Sequence, residues 1–246
     1  MPAFAVILPA AGKSSRFGGK EKKPYVNLDN TAVWLRTANL FANRTDVVQM
    51  ILVISPDDRE MVLRRYSANL MFLGVKVVDG GAERFQSVAN ALSQVKPEAD
   101  FVAVQDAVRP CTPASLIEAV CAAAVKHGAA VPGLAVADTL KRVDNQMMVT
   151  QTVPRVGLWQ AQTPQVFRKD WLVEAYGRTG ALSKDVTDDA QLVEAAGHPV
   201  RVVPGSPFNL KITTHDDVKI ASAFLKIREA EDKPKASHPF EDERFR

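Results

Sequence analysis

The stretch Leu8-Pro9-Ala10-Ala11-Gly12-Lys13-Ser14-Ser15-Arg16-Phe17-Gly18-Gly19-Lys20 completes the short apolar run FAVIL, residues 4–8. An apolar run of this length bounded by a turn reads as a strand buried on both faces, as in a parallel sheet. A loop of small residues at the carboxyl end of such a strand lies where open α/β sheets bind ligands. Small residues let backbone N–H groups approach a phosphate, and basic side chains neutralise it. Two familiar phosphate loops are excluded. Gly12-Lys13-Ser14 matches the end of G-x-x-x-x-G-K-[ST], but the first glycine position is Ile7, inside the strand. G-x-G-x-x-G fails because Lys13 and Ser14 follow Gly12. A phosphate loop of another kind remains.

Outward from this loop, the charge is concentrated. Lys13, Arg16, Lys20, Lys22 and Lys23 face Glu21 alone, a local +4 in a chain whose net charge is +3. Such a focus argues for a local anion site rather than a nucleic-acid-binding face. MILVI (50–54), VKVV (75–78) and FVAVQ (101–105) repeat the short apolar pattern. Helical stretches lie between them, at about Thr31–Ala42, from Ser55-Pro56-Asp57, at about Glu83–Val95, and from Thr112-Pro113 to Gly128. Strand, helix, strand at this spacing predicts right-handed crossovers and a doubly wound, mostly parallel α/β sheet. The alternation breaks at about residue 135. Two extended halves around Asp144-Asn145 predict a β-hairpin arm over about 135–153. Helices at Lys169–Thr179 and Thr187–Ala196, a strand at Val200–Val203 and a helix capped by Thr214 and reaching about Glu229 complete the domain. The expectation is one domain over 1–230 and a charged, proline-broken, disordered tail over 231–246.

Hydrophobic residues make up 46% of the 246, enough to exclude a disordered chain. Nothing approaches 18 consecutive apolar residues, and the N-terminal apolar run lacks the basic flank of a secretory signal. Cys111 and Cys121 match neither a metal-ligand spacing nor a disulfide framework and read as inert helix residues. None of His127, His198, His215 and His238 pairs at metal spacing, and Trp159 and Phe167 read as core. A cytoplasmic protein without membrane contact is expected.

Leu8-Pro-Ala-Ala-Gly12, Ser15-Arg16-Phe17-Gly18 and Lys23-Pro24 together resemble the signature loop of nucleotidyltransferases that join a nucleoside triphosphate to a phosphorylated small molecule. Four later segments narrow the likeness: Asp79-Gly80-Gly81-Ala82-Glu83-Arg84 with Ser87-Val88; Gln105 to Pro110; Thr152 to Trp159 with Gln162-Thr163-Pro164-Gln165; and Val186 to Asp189 with Asn209 to Thr213. In this order they resemble the 2-C-methyl-D-erythritol 4-phosphate cytidylyltransferase family, over about residues 4–228.

The resemblance implies a reaction in which CTP and methylerythritol 4-phosphate give 4-diphosphocytidyl-methylerythritol and pyrophosphate. It implies that Arg16 and Lys23 stabilise the transition state and that Arg155 and Lys211 hold the acceptor phosphate. Backbone at Ala10, Ala11, Gly81 and Ala82 would read the base, with Gly12, Ser87, Asp106 and Ala107 also at the nucleotide. Asp106, Arg109, Thr163 and Thr187 fall on substrate-side positions. Asp106 follows a strand end, where an acid can meet a hydroxyl or Mg²⁺. Mg²⁺, or another divalent cation, is expected mainly on the CTP phosphates. Arg109 can anchor Asp106 or reach substrate, and Thr187 also reads as a helix N-cap over Asp188 and Asp189. The arm is expected to clasp a second subunit, with Arg155 at its base. Lys20 and Lys22 rival Lys23, and Gln105 stands where relatives often carry histidine. Ribitol 5-phosphate is an alternative acceptor. A nucleotide-binding regulatory module without turnover is an alternative of another class.

Overall fold

The structure is a computed structural model that describes residues 1–12, 17–18, 21–178 and 186–231, without the side chains of 229–231. The expectations for Arg16, for Lys20 and for the tail beyond Glu231 therefore fall outside the described residues.

Strand β1 (Phe4–Pro9) lies at the centre of the molecule. It pairs in parallel with β4 (Val47–Ile54) on one side and β6 (Phe101–Val104) on the other. Strand β5 (Val75–Asp79) extends the parallel run beyond β4. Side chains alternate along β1, as period two demands. Phe4, Val6 and Leu8 enter one core, and Ile7 enters the other. On the first face they meet Trp34 and Phe41 of α1 (Val33–Ala42), Tyr66 of α2 (Arg59–Phe72) and Ile117 and Val120 of α4 (Ala114–His127). On the second face the sheet meets Val88 and Ala91 of α3 (Arg84–Leu92), Leu172 of α5 (Lys169–Gly177) and Leu192 of α6 (Asp189–Ala195). Burying one such side chain stabilises by about 1.5–3 kcal/mol. The two buried faces explain why β1 and β6 are apolar throughout.

From β1 the chain winds outward to β4 and β5, then returns to place β6 on the other side of β1. The winding direction reverses there. Loops leaving β1 and β6 diverge, and a crevice opens at the carboxyl ends of the strands. Beyond β6 the sheet turns mixed. Strand β11 (Gln165–Arg168) runs antiparallel to β6 and to β7 (Ala129–Ala135). Strand β7 also pairs antiparallel with β10 (Trp159–Ala161) and parallel with β12 (Arg201–Pro204). Strand β7, which carries Pro132 and Gly133, is absent from the sequence expectation, as are β10 and β11. The latter two are short and interrupted by the polar run Gln162-Thr163-Pro164, so no periodicity announces them.

The arm forms a separate two-stranded sheet, β8 (Leu140–Val143) with β9 (Val149–Val153). Its turn is held by Asp144, whose Oδ1 accepts from the backbone N–H groups of Gln146 and Met148. Helix α7 runs from His215 to Glu231. A two-strand pair of β2 (Asn27–Leu28) and β3 (Thr31–Ala32) precedes α1, so the helix expected from Thr31 starts at Val33.

Three expectations are corrected. Asp188, not Thr187, caps α6, its carboxylate accepting from Gln191 N at 3.0 Å. Trp159 is 47% exposed, because β10 is the edge strand of the sheet. Cys111 is buried in the turn before α4 rather than in the helix. Burial pushes the thiols of Cys111 and Cys121 up to about 11, which makes both unreactive near neutrality.

Candidate active site

A cleft of about 780 Å³ opens over the carboxyl ends of β1, β4, β5 and β6. Its first wall is the exit of β1, Pro9 to Gly12. Its second is the loop after β5, Gly80 to Arg84, with Ser87 behind it. These walls pack closely because Gly80 has no side chain. A Cβ there would lie 2.6 Å from the Cβ of Ala11 and 2.8 Å from Ser87 Oγ. One at Gly81 would lie 2.5 Å from the Cβ of Gln86. Helix α3 begins with a reciprocal cap between Glu83 and Gln86. Ser87 Oγ accepts from Gly81 N and donates to Glu83 O, both at 3.1 Å. The hydroxyl thus fixes the loop backbone that faces the cleft. Ala10, Ala11, Gly12, Gly81, Ala82 and Ser87 all line this end.

Cations form the other end. Lys23 and Lys211, 188 positions apart in the chain, line the same cleft. Lys23 starts a single 3₁₀ turn whose Tyr25 is buried. Asp58 holds that turn, accepting from Tyr25 OH at 3.2 Å and binding Lys22 Nζ through both oxygens at 2.8 Å. Burial, with Asp58 adding to it, raises the Tyr25 phenol far above its ordinary range, so it remains a donor. Lys22 is therefore committed to Asp58, and the same contacts fix Lys23 at the cleft.

Lys211 is placed by its neighbours. Asn209 is buried, and its side-chain amide donates to Thr163 O at 2.8 Å and to Gln162 Oε1 at 3.2 Å. Its Oδ1 accepts from Thr112 Oγ1 at 2.8 Å. Ile212 N donates to Val108 O at 2.9 Å. Ile212, Phe17 and Ala221 of α7 share a small third core, with Phe17 against the His215 ring. Lys211 then reaches Asp106 Oδ2 at 2.9 Å.

Asp106 is the centre of a charge cluster. Besides Lys211, Arg109 Nε lies 3.4 Å from its Oδ2 and Arg84 Nη2 lies 3.9 Å from its Oδ1. Burial alone would raise its pKa, but Lys211, Arg84 and Arg109 outweigh burial and hold the carboxyl well below the usual carboxylate range. Burial opposes the charge of Arg84, yet Asp189 and Asp106 raise its pKa above the ordinary guanidinium value. Burial lowers that of Arg109, beneath Asp106.

The other expected residues lie around the cleft rather than on it. Ala107 and Arg109 are buried under its floor, and Thr163 Oγ1 accepts from Asp106 N at 3.1 Å. Thr187 bonds Gln191 Oε1 through its N–H and its hydroxyl, outside the cleft lining. Arg155, exposed after β9, donates to Ala137 O at the base of the arm, away from the cleft lining of its own chain. Sequence reasoning missed Arg84 as a site residue, together with its partner Asp189. The signal is present. Arg84 is the first residue of α3, where a cation opposes the helix dipole and needs an external carboxylate.

Four cations, Lys22, Lys23, Arg84 and Lys211, against three acids, Asp57, Glu83 and Asp106, among the described lining residues, with two close-packed backbone walls, suit a polyanion with a hydrogen-bonding planar head. No histidine or cysteine is among the described residues lining the cleft. The geometry serves reactions in which positioned charge is the catalyst.

The family model described as IspD, 2-C-methyl-D-erythritol 4-phosphate cytidylyltransferase, matches residues 4–227. A protein of that name from Rhodopirellula baltica is 39% identical over 234 residues, covering 91% of this chain and 95% of the relative. Another from Alkaliphilus metalliredigens is 37% identical, covering 91% and 93%. The crystal structure of 2-C-methyl-D-erythritol 4-phosphate cytidylyltransferase from Francisella tularensis superposes with a TM-score of 0.77 at 29% identity, covering 91% of this chain and all of that one.

Proposed function

Since the chain belongs to the 2-C-methyl-D-erythritol 4-phosphate cytidylyltransferase family, we propose that its cleft transfers the cytidylyl group of CTP to 2-C-methyl-D-erythritol 4-phosphate. The products are 4-diphosphocytidyl-2-C-methyl-D-erythritol, a precursor in isoprenoid synthesis, and pyrophosphate. The observation that carries this reading is the meeting of Lys23 and Lys211 in one cleft with the backbone walls at Ala10–Gly12 and Gly80–Ala82.

An oxygen of the acceptor phosphate attacks the α-phosphorus of CTP in line with the departing pyrophosphate. Both reactants are anionic, so repulsion and charge build-up on the phosphoryl oxygens dominate the barrier. Lys23, and Arg16 by family likeness, neutralise the nucleotide phosphates. Lys211 reaches the transferred phosphoryl or the acceptor phosphate. Backbone at Ala10, Ala11, Gly81 and Ala82 reads cytosine, and Ser87 holds that backbone in place. Asp106 takes a ribose or substrate hydroxyl.

A divalent cation, Mg²⁺ in the simplest case, would be carried mainly by the CTP phosphates, since among the described residues no group of three metal-ligating side chains is placed to hold one. It would neutralise phosphate charge there. We also propose a homodimer clasped through the arm. Val143, Met147, Met148 and Val149 are exposed on the arm, which supports an apolar contact there. Arg155 at its base would then serve a partner's cleft, with Thr163 and Thr187 setting the acceptor-side backbone. No helix among the described residues is long and apolar enough to cross a membrane. A cytoplasmic location, with no nucleic-acid partner, completes the proposal.

Pyrophosphate release with each nucleoside triphosphate against methylerythritol 4-phosphate and ribitol 5-phosphate tests the reaction. CTP with methylerythritol 4-phosphate should be the productive pair. Equal rates with ribitol 5-phosphate, or no release with any pair, would overturn the assignment.

A further inference from the structure

Asp189 is the first residue of α6, yet it does not cap that helix, since Asp188 does. Its side chain is fully buried, and its carboxylate faces other elements instead. Oδ2 accepts from Arg84 Nη2 at 2.8 Å, and Oδ1 accepts from Tyr176 OH at 2.6 Å. The backbone at this point is also pinned. Gln165 Oε1 accepts from the N–H groups of Asp189 and Ala190, and Gln165 Nε2 donates to Asp188. Strand β11, which carries Gln165, pairs with β6, the strand that ends at Asp106. The carboxylate of Asp189 is thus held at a fixed place behind Arg84.

Arg84 stands between two carboxylates, bonded to Asp189 and 3.9 Å from Asp106 Oδ1. Asp106 Oδ2 already serves Lys211 and Arg109. Among the described residues Oδ1 has no hydrogen-bond partner, because Arg84 stops short of it. Were Asp189 neutral, Asp106 would be the carboxylate nearest to Arg84, and a guanidinium moves readily over one further ångström. The open oxygen would close.

We propose that Asp189 is a positioning residue for the nucleotide: it holds Arg84 back from Asp106, which leaves Asp106 Oδ1 to the bound CTP. This rests on the reading of the cleft as a CTP site. Tyr176 fixes the second oxygen of Asp189, so the restraint extends to α5.

The test is a double-mutant cycle of Asp189→Asn and Arg84→Gln, with CTP affinity measured by calorimetry in the presence of Mg²⁺ and turnover measured in parallel. Asp189→Asn should weaken CTP binding about tenfold in the parent protein and less than about threefold in the Arg84→Gln background. A helix or core role for Asp189 predicts the same loss in both backgrounds, and that result overturns the proposal, as does no loss in either. If Asp189→Asn fails to fold, Tyr176→Phe in both backgrounds supplies the same cycle with a smaller effect in the same direction. If the parent releases no pyrophosphate while the cycle holds, the assigned reaction fails and this inference stands. Turnover with an additive cycle gives the reverse.

Discussion

Lys23→Ala should lower turnover by about 10²–10³, the loss seen when one preorganised charge-stabilising donor is removed. Initial rates at saturating CTP check it, and an unchanged rate would show that another cation serves. Gly80→Ala presses a methyl into the Cβ of Ala11, which sits on backbone and cannot swing aside. The walls must part, and destabilisation of about 1–3 kcal/mol is expected, with weakened CTP binding. Thermal melts and a CTP titration report the two effects separately. The Asp106 carboxyl is depressed by Lys211, Arg84 and Arg109, so its contribution to stability is fully present above the unfolded value. It is lost only as pH falls through the lower folded value. Parent and Asp106→Asn should therefore differ in stability by a constant amount from pH 8 to about 5, then converge below about pH 4. Convergence already near pH 6 would refute the assignment of charge.

At the scale of an element, the N-cap of α6 is Asp188, one position beyond the Thr187 that the sequence reading favoured. Asp188→Ala should cost about 0.5–2 kcal/mol, the loss of an N-cap, while Thr187→Ala removes only a bond to Gln191 and should cost less. Urea midpoints at constant slope measure both. The central strands and the helices around them were legible because their apolar periodicity records burial on two faces. Helix α4, from after Pro113 to its closing Gly128, was legible for the same reason with its stop signal added. Strands β10 and β11 were not. Gln165 and Thr163 are polar, and both are buried because they bond across to Asp188, Asp189 and Asp106. A polar residue satisfied by distant partners leaves no periodic trace.

For the whole molecule, the arm leaves Val143, Met147, Met148 and Val149 exposed in the single chain. Sedimentation of the purified protein at micromolar concentration should show a dimer. Replacing the turn and strands of the arm by a short linker should give a monomer with little turnover. A monomeric parent would remove the proposed role of Arg155 in a partner's cleft.

The parallel core of the doubly wound sheet, the hairpin and the family resemblance were legible in local patterns, whereas β7, β10 and β11 were not. Strand burial, turn residues and motif spacing each act over a few positions. The meeting of Lys211 with Asp106, the commitment of Lys22 to Asp58 and the pull of Asp189 on Arg84 were settled only in three dimensions. Each joins residues 36 to 105 positions apart, and charge acts through distance in space, which the linear order of residues does not contain.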